Sequence, residues 1–372
     1  MIPDLNPSPR LLLGPGPSML HPRVLRAMAT PLVGHLDPDF IKILTDIRNM
    51  LRRVFQTENE LTLAVSGTGT SAMEAALGNL IEPGDVMLAC VHGYFGDRLA
   101  EIGRRYGAQV ERLESPWGHF TDPAAIEASL RQHRARIVTL VHAETSTGVL
   151  QPDIRAIAEA CHRHEALLVL DCVTSLGGIA VEVDDWGVDV AYGASQKSLS
   201  APPGLAPITV GPRAREAIAR RKSPVPVFYF DLELLNRYWG ETPVYHHTAP
   251  ISTAYALREA LRLALEEQLD KRYLRHRHNA QRLWRGLEEM DLELLVPEPH
   301  RLTTLTTPRL PASWDDGGLR RKLLEVYGIE IAGGFGPLAG KVWRIGLMGH
   351  SSRPENVLTF LGALRELTDG RS

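Results

Sequence analysis

Cysteine is scarce in this chain, with three among 372 residues, at positions 90, 161 and 172. An odd, sparse set without metal-ligand spacing argues against a disulfide framework and fits a reducing compartment, so the cytoplasm is expected. An excess of one charge is also missing. Lys and Arg total 41 against 44 Asp and Glu, a net charge of −3. That balance gives no reason to expect nucleic acid or a membrane as partner. Long apolar runs are lacking too: "ALLVL" at 166–170 is strand-length, far short of a membrane span. The first twenty residues hold an early aspartate, five prolines and one three-leucine run. They read as neither signal peptide nor anchor.

What remains is the profile of a globular protein, 44% hydrophobic and 23% charged, with length enough for two lobes. From about residue 60, short apolar runs alternate with helical stretches. Strands are expected at "LTLAVSGTGT" (61–70), "DVMLACV" (85–91), "IVTLVHAE" (137–144), "ALLVLDCV" (166–173), "VDVAYGAS" (188–195) and "LAPITVG" (205–211). Helices are expected at "SAMEAALGNLI" (71–81) and over 153–165. Such alternation predicts an α/β fold with a mostly parallel sheet covered on both faces. Residues 224–250, rich in proline and aromatics, read as a long irregular connection of the kind that carries function or an interface. Residues 252–290 read as one long helical segment. The remainder alternates strands (292–297, 302–307, "IEIAGG", "VWRIGLMG") with helices over 316–327 and 353–368, a small α+β lobe. The expected division is an arm over 1–17, a large lobe over 18–267 and a small lobe over 268–372.

Three features could carry chemistry. In "SGTGTSAMEAA", Thr68, Gly69 and Thr70 lie between a strand and a helix, where free backbone N–H groups and the helix dipole favour a phosphate. The spacing is neither the Walker nor the dinucleotide pattern, and a capped tight turn satisfies it equally. Asp171 ends an apolar strand, either as a ligand-facing carboxylate or as a helix cap. Lys197 follows the next strand, in "GASQKSLSAPPG". A solvated lysine is a poor nucleophile, but one held against an apolar wall or a second cation becomes competent for Schiff-base chemistry. Phosphate cradle, carboxylate and lysine together are what pyridoxal 5'-phosphate requires.

The chain also resembles a known family. The stretches "LLLGPGPS" (11–18), "SGTGTSAMEAA" (66–76), "HAETSTGVLQP" (142–152), "LDCVTSLGG" (170–178), "ASQKSLSAPPG" (194–204), "YHHTAPI" (245–251) and "VWRIGLMGH" (342–350) carry the likeness. They are similar, in order, to class V (fold-type I) pyridoxal-phosphate aminotransferases of the alanine–glyoxylate and serine–pyruvate type. The resemblance implies the fold-type I architecture, a large cofactor-binding domain plus a smaller C-terminal α+β domain.

The resemblance also implies a role for individual residues. Lys197 matches the Schiff-base lysine and Asp171 the partner of the pyridine nitrogen. Thr68, Gly69 and Thr70 match the phosphate turn, and Gln196 adds a contact there. Phe95 falls where an aromatic stacks on the cofactor ring; many members carry tryptophan at that position. Val173 matches the residue on the ring's other face, and Thr145 the hydroxyl that bonds the phenolic oxygen. Tyr245 and Thr248 match residues that reach the phosphate of the neighbouring subunit, so a homodimer with composite sites is implied. Arg344 matches the arginine that binds the substrate carboxylate, its planar fork suiting that group. Gly14 and Gly16 match a loop lining the substrate site. His246 and His247 lack a third ligand, and no metal is assigned. The implied reaction moves the amino group of alanine or serine to a 2-oxo acid, glyoxylate or pyruvate. Ureidoglycine or aminophosphonate transfer, a desulfurase or lyase, and a non-catalytic dimeric scaffold are the alternatives.

Overall fold

The apolar runs assemble into a seven-stranded sheet in a computed structural model that describes residues 2 and 4–368. Met1 and Pro3 of the arm and residues 369–372 of the small lobe lie outside the described residues. The strands are β1 (Leu61–Gly67), β2 (Val86–Val91), β3 (Gln109–Glu114), β4 (Ile137–Val141), β5 (Leu167–Asp171), β6 (Val190–Tyr192) and β7 (Gly204–Val210). Their order across the sheet is β1-β7-β6-β5-β4-β2-β3. Only β7 runs against the others, pairing antiparallel with β1 and β6. The central strands β4 and β5 are buried along their whole length, which is why they read as unbroken apolar runs. Helices α1 (Gly69–Leu80) and α2 (Tyr94–Arg105) follow β1 and β2 from the carboxyl edge of the sheet. That edge is where open α/β folds collect their ligands.

Several helices start as capping chemistry dictates. Pro38–Phe55 and Pro123–His133 each begin with proline behind an aspartate, Asp37 or Asp122, whose side chain accepts a backbone N–H of the first turn. Among the described residues no helix is long and apolar enough to cross a membrane.

The two largest clusters of buried apolar side chains lie around the sheet and around the C-terminal elements. Leu13 belongs to the second, because Leu11–Leu12 pairs in parallel with Ile329–Glu330. The small lobe is built on a three-stranded antiparallel sheet centred on β8 (Trp343–Gly346), flanked by Leu305–Thr306 and Ala332–Gly333.

Some expectations needed correction. The single helix over 252–290 is two, α3 (Ile251–Glu267) and α4 (Leu269–Glu288), separated by Gln268 at φ 72°. The connection over 224–250 contains a helix, Leu232–Tyr238, begun by Asp231, whose carboxylate accepts the N–H groups of Glu233 and Leu234. The strand expected over 292–297 shrinks to an isolated bridge between Leu294 and Pro308, flanked by backbone hydrogen bonds from Leu295 N to Thr307 O (2.9 Å) and from Arg309 N to Glu293 O (2.8 Å). The strand over 302–307 shrinks to Leu305–Thr306.

Candidate active site

Asp171 is the last residue of β5 and only 2% exposed. Its neighbour across the parallel register is Tyr192, the last residue of β6, and side chains at paired positions share a face. The Tyr192 hydroxyl therefore donates to Asp171 Oδ2 at 2.9 Å, while Val173 N donates to Oδ1 at 2.8 Å. Burial raises the Asp171 carboxyl to about 6; those two bonds, Lys197 and Arg98 pull it back part of the way.

Lys197 sits on the loop between β6 and β7. The loop is tied by its own polar groups: Ser195 Oγ donates to Pro202 O at 2.6 Å, and Ala201 N to Ser195 O at 2.9 Å. Ser18 grips it from the N-terminal segment, its hydroxyl donating to Lys197 O at 2.7 Å and its N–H to Gln196 O at 2.9 Å. Lys197 Nζ donates to Pro15 O. Burial lowers this ammonium to about 8; Arg344 lowers it further and Asp171 opposes. Gly16 stands directly against it, at φ +108°, where a Cβ would fall 2.8 Å from Lys197 Cδ and Nζ. The glycine is required twice, by its left-handed backbone and by the lysine's proximity.

The N-terminus of α1 lies on the same edge. Thr68 occupies the cap position in extended conformation without bonding the helix through its side chain, which leaves the first-turn N–H groups free of a side-chain cap. A Cβ on Gly69 would sit 3.0 Å from Val173 Cγ2, so the glycine lets the helix close against that side chain. Gln196 Oε1 is buried without a partner, an acceptor left idle in this lining. Thr145 is buried and shares a hydrogen bond with Thr174. Phe95 is in the first turn of α2, packed against the large core.

Arg344, in the middle strand of the small lobe, is 4% exposed. Its Nε donates to Gly333 O at 2.7 Å, and its guanidinium lies 3.8 Å from the centroid of the Phe335 ring. Burial lowers it to about 10, with Glu144 opposing, so it remains a cation at neutral pH.

Tyr245 and Thr248 are not in this cluster. Tyr245 is 61% exposed, its ring 5.5 Å from that of His35, and Thr248 is exposed as well. The adjacent histidines are absorbed by hydrogen bonds: His246 Nδ1 with His247 Nδ1 (2.9 Å), His246 Nε2 with Phe228 O (3.1 Å), and His247 Nε2 with Ser66 Oγ (2.8 Å).

Four side chains of the site escaped the sequence reading. Tyr192 holds Asp171; Arg98 donates to Thr70 Oγ1 at 3.1 Å and covers the rings of Tyr94 and Phe95; Phe335 backs Arg344. Glu144 is fully buried and raised to about 7 by that burial, while accepting Ser146 Oγ at 2.6 Å, Ser146 N at 3.0 Å and Phe95 N at 3.3 Å. The available signal was a carboxylate inside the apolar stretch "IVTLVHAE".

Comparison with known proteins gives a consistent picture. The Aminotransferase class-V family model matches residues 11–336. The chain is 45% identical to the alanine–glyoxylate aminotransferase of Oryctolagus cuniculus over 96% of its own length and 92% of the relative's. It is 43% identical to the (S)-ureidoglycine–glyoxylate transaminase of Bacillus subtilis, over 95% and 89%. The crystal structure of an alanine–glyoxylate aminotransferase from Nostoc sp. superposes with a TM-score of 0.97 at 50% identity, covering 99% of this chain and 97% of that one.

Proposed function

The chain belongs to the Aminotransferase class-V family, and from that premise we propose that it moves the amino group of a small amino acid, alanine or serine, to glyoxylate or pyruvate. The cofactor is pyridoxal 5'-phosphate, and the residues present fit it. The uncapped helix N-terminus at Thr68, Gly69 and Thr70 would hold the phosphate, with the side-chain amide N–H of Gln196, next to Lys197, adding a donor. Asp171 would hold the ring nitrogen, Phe95 and Val173 the two ring faces, and Thr145 the phenolic oxygen. Bound there, the cofactor supplies an aldehyde that takes up the amino group and a cationic ring that draws electrons from the substrate Cα.

The protein's own groups do the rest. Lys197 Nζ, lowered from 10.5 to about 8, gives up its proton near neutral pH far more readily than a solvated lysine, which suits it to take the Cα proton of a bound amino acid. Asp171, buried and twice hydrogen-bonded, keeps a negative charge close to a cation once one is present. Arg344, fixed by Gly333 O and the Phe335 ring, orients the carboxylate shared by amino acid and 2-oxo acid substrates. Gly16 leaves the lysine room to work.

One observation carries this reading: Lys197, partly buried on the loop that leaves β6, lies at the carboxyl edge that also holds Asp171 and the N-terminus of α1, with Gly16 directly against its side chain. A cysteine desulfurase fits poorly, because burial pushes the Cys90, Cys161 and Cys172 thiols up and none is exposed. Ureidoglycine is the second donor the Bacillus relative favours. A panel of alanine, serine, (S)-ureidoglycine and 2-aminoethylphosphonate, each against glyoxylate and pyruvate, separates these cases. Glycine formed from glyoxylate with alanine or serine is expected; no transfer from any donor by cofactor-loaded protein would overturn the assignment.

We also propose a homodimer in the cytoplasm, with Tyr245 and Thr248 completing the neighbour's site. Their exposure beside Val244, Phe228 and Tyr229, also exposed, supports an interface there.

A further inference from the structure

One face of α4 breaks the usual pattern. Arg272, Arg275, His276 and Asn279 recur at the spacing that normally carries apolar residues into a core. Arg272, His276 and Asn279 are buried, and Arg275 is partly so. Their partners lie on two segments of the active site.

On the lysine side, Arg272, 6% exposed, donates from Nε to Gly177 O at 2.7 Å and from Nη2 to Ser198 O at 2.6 Å. Ser198 follows Lys197, and Gly177 lies on the loop that leaves Asp171. On the other side, Arg275 Nη1 donates to Gly349 O at 3.1 Å and also to Ser352 O. Gly349 N donates to His276 Nε2 at 2.9 Å, and Asn279 Nδ2 donates to Ser352 O at 2.9 Å. Those residues follow β8, the strand of Arg344.

Glu267 joins the two halves. The turn at Gln268 brings it back onto the first turns of α4, where its carboxylate meets Arg272 Nη1 at 2.7 Å and Arg275 Nε at 2.6 Å. The arginines hold this carboxylate down at about 2, against a burial that raises it. Where the segments touch directly, His350 N donates to Ser200 Oγ at 2.8 Å, and a Cβ on Gly349 would fall 2.6 Å from Ser198 O.

We propose that the Arg272–Glu267–Arg275 triad, with His276, is a positioning device that sets Lys197 in register with Arg344. It thereby fixes the base that takes the Cα proton relative to the clamp on the same substrate's carboxylate. The inference rests on the functional reading above. Removing one partner of a buried ion pair leaves an uncompensated charge, so the loss of Glu267 disturbs both arginines at once. A shift of about 1 Å between base and clamp is enough to lower the rate by about a hundredfold.

The test uses cofactor-loaded protein, wild type and Glu267→Gln, with Arg275→Lys as the milder second variant should the first not fold. Amide hydrogen exchange is read over residues 198–201 and 349–352, with β4 and β5 as the internal reference. Single-turnover rates are read for alanine and for ethylamine, which has no carboxylate for Arg344 to hold. Faster exchange is expected in both segments and not in the reference strands, with the alanine-to-ethylamine rate ratio falling about tenfold or more. Unchanged exchange in the two segments, or alanine and ethylamine slowed by the same factor, would overturn the proposal. Wild-type protein inert toward every amino donor would instead overturn the functional reading, and the exchange arm would still decide the network.

Discussion

Replacing Gly16 with alanine perturbs the lysine without touching its chemistry. The added Cβ would lie 2.8 Å from both Lys197 Cδ and Nζ and 3.1 Å from Cε. Carbon contacts settle near 3.5–4.0 Å, so the lysine tip must move by roughly 1 Å. The backbone at φ +108° adds strain of about 1–3 kcal/mol for a residue with a Cβ. The obstructing atoms are the far end of a flexible side chain. The fold therefore yields little, and the melting temperature drops by only a few degrees. Activity falls much more, about a hundredfold in kcat/KM. Gly14→Ala is the matched control two residues away, because its Cβ would meet only Glu330 O, at 3.9 Å. The assay is steady-state transamination with thermal melts on both variants. Gly16→Ala within about threefold of wild type, or a loss shared equally by Gly14→Ala, would refute the reasoning.

Three further outcomes follow from the geometry. Arg344→Gln should raise KM for amino acid and 2-oxo acid alike and lower kcat/KM by about a hundredfold or more, while the cofactor still binds, as its absorbance will report. Asp171, raised from 3.8 to about 6, contributes stability to cofactor-free protein that is complete below about pH 4 and lost as pH rises through 6. Denaturation of the apoprotein at pH 8 should therefore find Asp171→Asn more stable than wild type by up to about 3 kcal/mol, and inactive. Mixing Lys197→Ala with a Tyr245→Ala, Thr248→Ala double variant should restore about a quarter of wild-type activity, since a shared dimer reassembles one complete site; no recovery after subunit exchange would count against composite sites.

The parts of the fold visible in the sequence are those whose environment is uniform. Strands β4 and β5 are buried on both faces and read as unbroken apolar runs, each followed by the residues that reach the site. Edge strand β3, "QVERLE", is half solvated and mixes charge with apolar positions, so it did not stand out. The break at Gln268 has no glycine or proline to announce it; its cause is tertiary, the return of Glu267 onto Arg272 and Arg275. In the site, Asp171 and Lys197 were conspicuous as charges ending apolar stretches. Tyr192 reaches Asp171 through strand register, Arg98 reaches Thr70 from another helix, and Phe335 backs Arg344 from a loop. None of those relations has a fixed sequence spacing. Tyr245 and Thr248 were recognisable only through family likeness, since their own chain leaves them on the surface.

Borohydride reduction of the purified, cofactor-loaded protein, followed by peptide mapping, reads the central chemical claim directly. A single pyridoxyl group on Lys197 Nζ, with loss of activity in proportion to labelling, is the predicted result. A label on any other lysine, or no label on protein that carries the cofactor, would contradict it.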